Sequence, residues 1–355
     1  MRPLVNEQFR KWAEEGEPVP LFDGISNLAL TVILYILAGP EFAARHAEEL
    51  VPLIKTYEPA VQKPQTKAFP RWASKAGRLL NSVEGRIKEL IDDEINRRLR
   101  NPEKYKFRTD YLQIMLNITG DMYTEGMSSA LISSEIVCAY HILGLLNGGF
   151  TNQAPTFAWG LLHALRSPLL STLRGTKSRD LLEASLREIG RLYSNLFILR
   201  RLTSPQVVLG KHLPTGTFIA CSPLLAALDS KSFDEAEKFR PERWLSSQPQ
   251  KMDDAKSKRI ERMGISTQFG KGQHACVGER LTKILVLDMY WENILGNAEH
   301  PGYDVEIISG VVEGAGFDNV GVEAAWGKNL GTPFAKIDPV VRFTRRTSEA
   351  LFNVR

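Results

Sequence analysis

Phe269-Gly270-Lys271-Gly272-Gln273-His274-Ala275-Cys276-Val277-Gly278 places a single cysteine on a glycine-rich loop, with an aromatic seven residues before it and a histidine two before. The pattern suits a thiolate bound to the iron of a flat macrocycle, because one axial sulfur suffices and the backbone must come close to the ring. Gly270, Gly272 and Gly278 remove side chains from that approach and open turns closed to other residues. Exposed loop amides can then hydrogen-bond the sulfur and tune its electron donation. Other readings of the same ten residues remain. A lone cysteine is most often a buried structural one. Three cysteines with no Cys-x-x-Cys pair speak against zinc. Cys276 and His274 could form a nucleophile pair, although no oxyanion motif accompanies them. A phosphate-cradling loop would need a Gly-Lys-Ser/Thr ending and a preceding apolar strand.

Two upstream elements decide among these. Glu188-Ile189-Gly190-Arg191 is a Glu-x-x-Arg, and Phe239-Arg240-Pro241-Glu242-Arg243-Trp244 a Pro-Glu-Arg-aromatic element. Alone, Glu-x-x-Arg means little, since helices carry many such pairs. In this order, with Phe-x-x-Gly-x-His-x-Cys-x-Gly last, the three resemble the motif set of the cytochrome P450 family. The resemblance implies a mainly α fold with small β-sheets and Cys276 as axial ligand of haem b. Phe269, Gly272, His274, Gly278 and Arg200 would line the cofactor, the two basic residues at its propionates. Glu188 and Arg191 lie one helical turn apart and can pair, with Arg243 as third member. A fork locked on a carboxylate holds its geometry better than an isolated charge. In the family that trio fixes the segment leading into the cysteine loop.

On the opposite haem face many family members carry an acid-Thr pair that relays protons. Counting back from Ala158-Trp159, the aligned residues are Gly148-Gly149-Phe150-Thr151-Asn152, so Thr151 stands in the acid's place and Asn152 in the alcohol's. Asn with Pro155 three later and Trp159 seven later resembles the branch with sterol and bile-acid 7α- and 12α-hydroxylases and prostacyclin synthase. The surrounding helix also resembles sterol 14α-demethylases, without their His-Thr pair. An amide cannot titrate near neutral pH, so proton delivery would need water or Thr151. Asn152 could instead cap a helix bulge opened by Gly148, Gly149 and Pro155. Phe150, Asn195, Leu196, Phe197 and Ile198 would face the substrate, and their apolar character points to a steroid, terpenoid or fatty-acid derivative.

The 355 residues, 43% hydrophobic and 24% charged, can bury a sizeable core. A net charge of +4, dispersed along the chain, gives no case for nucleic acid. Scattered cysteines indicate a reducing compartment. Residues 1–20 have no apolar core of a signal peptide, and the longest apolar run, Leu28 to Ala38, is too short to span a bilayer and reads as a buried helix. Family members are longer and eukaryotic ones usually begin with a membrane anchor, so residues 1–355 read as one P450 domain lacking its N-terminal helices and first strands. By resemblance the site of action is the cytoplasmic side of the endoplasmic reticulum.

Helical periodicity runs over Leu28–Leu37, over Lys75–Arg100 with Leu79, Leu80, Val83, Ile87, Leu90 and Ile91 on one side, and over Ser133–Leu165 with an interruption at Asn147-Gly148-Gly149. Asp180–Leu199 and Glu279–Leu295 follow as helices, and Gln206–Leu209 with Thr217–Ala220 as a hairpin. Val305–Ile308 and Val340–Phe343 read as late strands, and the charged segment Gln248 to Arg262 as a surface connection. The leading functional expectation is a monooxygenase using O₂ and a lipophilic substrate. An NADPH-dependent flavoprotein reductase would dock near Lys271, Arg280 and Lys283. The alternatives are a reductase-independent isomerase or dehydratase of a lipid hydroperoxide, and a haem-binding remnant without activity.

Overall fold

The computed structural model describes residues 1–124, 139–193, 198–245, 269–270, 272–297, 300–326 and 332–347. The surface connection expected over 248–262 lies outside them, as do Lys271, Asn195, Leu196 and Phe197. The chain divides into two compact units, Met1–Ala154 with Val341–Arg345, and Pro155–Val340 with Arg346–Arg355.

The first unit is built from α1 (Arg2–Glu15), the short strand β1 (Val19–Pro20), α2 (Leu21–Ala38), α3 (Pro40–Gln62), α4 (Pro64–Ala68), α5 (Lys75–Arg100), α6 (Pro102–Tyr105), α7 (Tyr111–Thr124) and the first half of α8 (Ala139–Leu165). Apolar everywhere but along the Asp23–Asn27–Thr31 stripe, α2 is largely buried and packs on α3 and α7. It is seven residues longer than the Leu28–Ala38 run. By length and composition it could cross a membrane, but two thirds of it is buried within the fold. α5 begins at the cap of Ser74, whose Oγ accepts the Gly77 amide at 2.9 Å, and ends in Arg97, Arg98 and Arg100 against its carbonyl end. Of its expected apolar side, Leu80, Val83, Ile87, Leu90 and Ile91 are buried, while Leu79 is 44% exposed. Arg98 is buried with two carboxylates, reaching Glu94 Oε1 at 3.0 Å and Asp110 Oδ1 at 2.6 Å, and also donates to the Ala38 carbonyl at the end of α2.

The interruption expected at Asn147-Gly148-Gly149 does not occur: α8 runs unbroken from Ala139 through those residues. A Cβ at Gly149 would lie 2.6 Å from Ile33 Cδ1. The glycine brings α8 onto α2, and that packing outweighs the roughly 1 kcal/mol that glycine costs a helix interior.

The second unit holds the rest of α8, then α9 (Leu169–Thr176), α10 (Arg179–Leu192), β2 (Ile198–Arg201), β3 (Gln206–Val208), β4 (Lys211–Leu213), β5 (Phe218–Cys221), α11 (Pro223–Ala227), α12 (Glu279–Lys283), a π-helical stretch (Ile284–Tyr290), α13 (Trp291–Leu295) and β6 (Tyr303–Ser309). The strand β7 (Val340–Arg345) returns to the first unit, where Phe343 packs edge-on to Phe9 and stacks on Trp12. The hairpin pairs differently from the sequence expectation. β3 meets β4 across Leu209-Gly210, both at positive φ (51° and 76°), as a two-residue turn of the primed kind demands. Phe218–Cys221 pairs instead with β2, in register Ile198 to Cys221 and Arg201 to Phe218. The helix expected over Asp180–Leu199 ends at Leu192, and that expected over Glu279–Leu295 widens to a π-helix in its middle. Among the described residues the fold is mainly helical, with small sheets.

Candidate functional site: the Cys276 loop and the Glu188 hub

Cys276 follows a 3-10 turn, Gly272–His274, and precedes α12. Its amide donates to the Phe269 carbonyl at 2.6 Å, and the Ala275 amide to the Gly272 carbonyl at 3.0 Å, which folds the loop back on itself. Gly270 (φ 72°) and Gly272 (φ 69°) are in the left-handed region, where a side chain is disfavoured. Gly278 is not: its φ of −86° is open to any residue, and an added Cβ would stand 3.6 Å from Cys276 Sγ, an ordinary contact. Two of the three glycines are thus required by the turn, and Gly278 only keeps the space beside the sulfur clear. The sulfur is exposed, as is Val277 (94%), and the Phe269 ring is half-buried with Lys283 Nζ 6.0 Å from its centroid. The His274 side chain lies outside the described ones.

Among the described residues no three His, Cys, Asp or Glu cluster as a metal site would require. One exposed thiol on a folded-back glycine loop fits a group that takes a single sulfur and spreads flat beside it, and does not fit a zinc site.

The Glu-x-x-Arg and Pro-Glu-Arg-aromatic elements come together in the buried interior of the second unit. Glu188 and Arg191 sit on α10, which Ser178 caps by accepting the Leu181 amide at 3.2 Å. Arg191 grips the carboxylate with both arms, Nε to Oε2 at 3.0 Å and Nη2 to Oε1 at 2.8 Å. Arg243 Nε reaches Oε1 at 3.1 Å, as does the Arg240 amide at 3.0 Å. Trp244 Nε1 donates to Oε2 at 2.7 Å. Glu188 thus accepts five hydrogen bonds at 0% exposure, with Arg191 and Arg243 at 2% and 4%. The guanidinium groups also donate to carbonyls: Arg191 to Ala227, Ala236 and Lys238, Arg243 to Asp234 and, at 3.5 Å, Lys238. Burial pulls the Arg243 guanidinium below its ordinary value, and the Glu188 charge opposes that. Sequence reasoning anticipated the three charged members and missed Trp244. Its side chain was visible as the motif's aromatic, but nothing local shows where an indole N–H points.

Close by, Tyr193 stacks on Trp159 at 4.2 Å and its hydroxyl meets His163 Nε2 at 2.9 Å, while His163 stacks on Phe239 at 4.3 Å. Complete burial drives His163 down to about 3, so the ring is neutral.

In the first unit, Phe150 and Thr151 are buried and Asn152 is exposed. Thr151 Oγ1 donates to the Asn147 carbonyl at 3.0 Å, and Asn152 Nδ2 contacts the Gly148 carbonyl and Thr151 Oγ1 at 3.4 Å each. Both side chains thus bond back along their own helix. Arg200 is exposed on β2, donating to its neighbour Leu199's carbonyl at 2.8 Å, and Ile198 is 38% exposed at the start of that strand.

The cytochrome P450 family model matches residues 4–287. The chain belongs to the cytochrome P450 family. Among curated P450 proteins it is 28% identical to the monooxygenase pytD of Aspergillus terreus over 291 residues, 77% of this chain and 73% of that one. It is 29% identical to the monooxygenase pyvB of Aspergillus violaceofuscus, over 79% and 58% of the two chains. Human lanosterol 14-alpha demethylase matches at 24%, covering 97% of this chain and 64% of that protein. Among solved structures, the retinoic-acid-bound cyanobacterial P450 CYP120A1 shares the fold (TM-score 0.69, 16% identity, 97% of this chain and 74% of that one). The P450 chain described here spans about three fifths to three quarters of the length of these relatives.

Proposed function

We propose that this chain is a haem-thiolate monooxygenase acting on a lipophilic substrate. The observation that carries the reading is the exposed Cys276 thiol on its folded-back glycine loop, in a chain where Glu188, Arg191 and Arg243 form one buried hub. Haem b, when bound, would supply activation of O₂ with two electrons and two protons, one oxygen atom entering a C–H or C=C bond of the substrate and the other leaving as water. Cys276 holds the iron, and Phe269, Gly272, His274, Gly278 and Arg200 are the residues assigned to the macrocycle. The amides of Val277 and Gly278, which have no backbone partner among the described residues, are donors available to the thiolate. Thr151 and Asn152 are assigned to proton delivery. Neither titrates near neutrality, so their part is to hold water by hydroxyl and amide. Phe150, Asn195, Leu196, Phe197 and Ile198 are assigned to the substrate. The sterol named by the lanosterol demethylase relative, and the apolar character of four of these five, favour a steroid or terpenoid-like molecule. Electrons come from an NADPH-dependent flavoprotein reductase docking beside Arg280, Lys283 and Lys271, at the cytoplasmic side of the endoplasmic reticulum.

The test is the ferrous–CO spectrum of the purified chain reconstituted with haem. The wild type gives the thiolate-type red-shifted Soret band and Cys276→Ser loses it. A wild-type spectrum without that band, or one that survives in Cys276→Ser, removes the assignment. Turnover that requires NADPH and reductase separates the monooxygenase from a hydroperoxide isomerase.

A further inference from the structure

The Glu188 carboxylate is held unevenly. Oε1 accepts three donors, from Arg191, Arg243 and the Arg240 amide, whereas Oε2 has only Arg191 Nε and the indole of Trp244. The indole bond is the shortest of the five, at 2.7 Å. Trp244 is itself clamped. The Arg187 guanidinium carbon stands 4.0 Å from the centre of its ring, and Phe233 meets the indole edge-on at 5.9 Å. A cation over an aromatic face is attracted by the ring quadrupole and draws electron density toward itself. That makes the indole N–H a better donor to the carboxylate. Arg187 is partly desolvated, and burial pulls it below its ordinary value, with Glu188 opposing. Any aromatic at 244 could fill the space against Phe233, but only an indole carries an N–H to Oε2.

We propose that Trp244 is a positioning residue of the Cys276 site, its indole N–H, polarised by Arg187, fixing the carboxylate of Glu188 and through it Arg243. Arg187, Glu188 and Trp244 form a relay in which a surface-side cation sets how tightly a buried carboxylate is held. The proposal rests on the haem-thiolate reading, and the experiment separates the two.

Trp244→Phe, Arg187→Gln and the double variant are made in the full chain loaded with haem. The measurement is the rate at which the thiolate-type ferrous–CO band converts to the neutral-thiol form under mild heating. Loss of one charge-assisted hydrogen bond predicts conversion about tenfold faster or more in Trp244→Phe. Arg187→Gln gives a smaller acceleration that vanishes in the Trp244→Phe background, because Arg187 acts through the indole. Conversion within twofold of wild type in Trp244→Phe overturns the proposal, and so does an Arg187→Gln effect of equal size in both backgrounds. A second readout does not depend on Trp244→Phe folding. In chain labelled with ¹⁵N-tryptophan, the Trp244 indole proton is downfield and protected from exchange, and it moves upfield in Arg187→Gln. An unmoved resonance overturns the relay. If wild type shows no thiolate band at all, the functional reading falls. The indole resonance of the haem-free chain then decides the positioning role by itself.

Discussion

Glu188→Gln changes one atom and should dismantle the hub. Whichever way the amide is oriented, one carboxylate oxygen becomes an NH₂ facing donors. With the carbonyl at the Oε1 place, the new NH₂ opposes Arg191 Nε and Trp244 Nε1, leaving both protons without an acceptor. Turned the other way, it opposes Arg191 Nη2, Arg243 Nε and the Arg240 amide. The first orientation loses fewer bonds and is the one to expect. Two buried guanidinium groups then share no counter-charge. Removing one partner of a buried ion pair costs about 3–5 kcal/mol, and each orphaned donor about 1–3 more. A domain's whole stability is roughly 5–15 kcal/mol. The expected outcome is loss of most of the unfolding transition of the second unit and of haem retention. The assay is urea unfolding followed by tryptophan fluorescence, with haem-to-protein stoichiometry measured on the same sample. Glu188→Gln with wild-type unfolding and full haem content would refute the hub as the support of the Cys276 loop.

Three further outcomes follow from other parts of the fold. Arg98→Ala takes the counter-charge from the buried Asp110 carboxylate, while Glu94 keeps Arg45 at 2.7 Å and Arg97 at 3.5 Å, and should destabilise the first unit by about 3–5 kcal/mol in urea unfolding, with the Cys276 spectrum less affected than by Glu188→Gln. Gly149→Val forces its side chain into Ile33 and should cost about 1–3 kcal/mol, partly restored by Ile33→Ala in a double-mutant cycle. His163 has its folded value depressed to about 3, against about 6.5 unfolded, so its stabilising contribution is complete above pH 6.5 and is lost as pH falls toward 3. Stability should drop by roughly 2 kcal/mol between pH 7 and 5 from this group alone, and His163→Gln should flatten that part of the curve.

Much of the site was legible because its signals are local. A cysteine six residues after Gly270 and four after Gly272, both at positive φ, marks a loop within ten residues, and Glu188 to Arg191 is one helical turn. The boundaries of α5 are likewise written beside it, in Ser74 and in Arg100-Asn101-Pro102. What failed was choice of partner. From sequence alone Gln206–Leu209 reads as a hairpin with Thr217–Ala220. The left-handed pair Leu209-Gly210 settled the matter, and β5 went to β2. Gly148-Gly149 read as a break because propensity counts glycine against a helix, while the side chain it lets in, Ile33, lies more than a hundred residues away.

By itself the sequence determined the family, the motif that carries Cys276 and the charged members of the hub, because these depend on residue type at short fixed spacing. Only the tertiary structure decided that the Glu188 carboxylate is shared among five donors, four of them contributed by Arg191 and Arg243 side chains and by Trp244, with the fifth from the Arg240 amide. Donors from residues 240–244 meet Glu188 across more than fifty residues of chain. A hydrogen bond needs a distance and a direction, and across such a separation the packing of the interior alone supplies both.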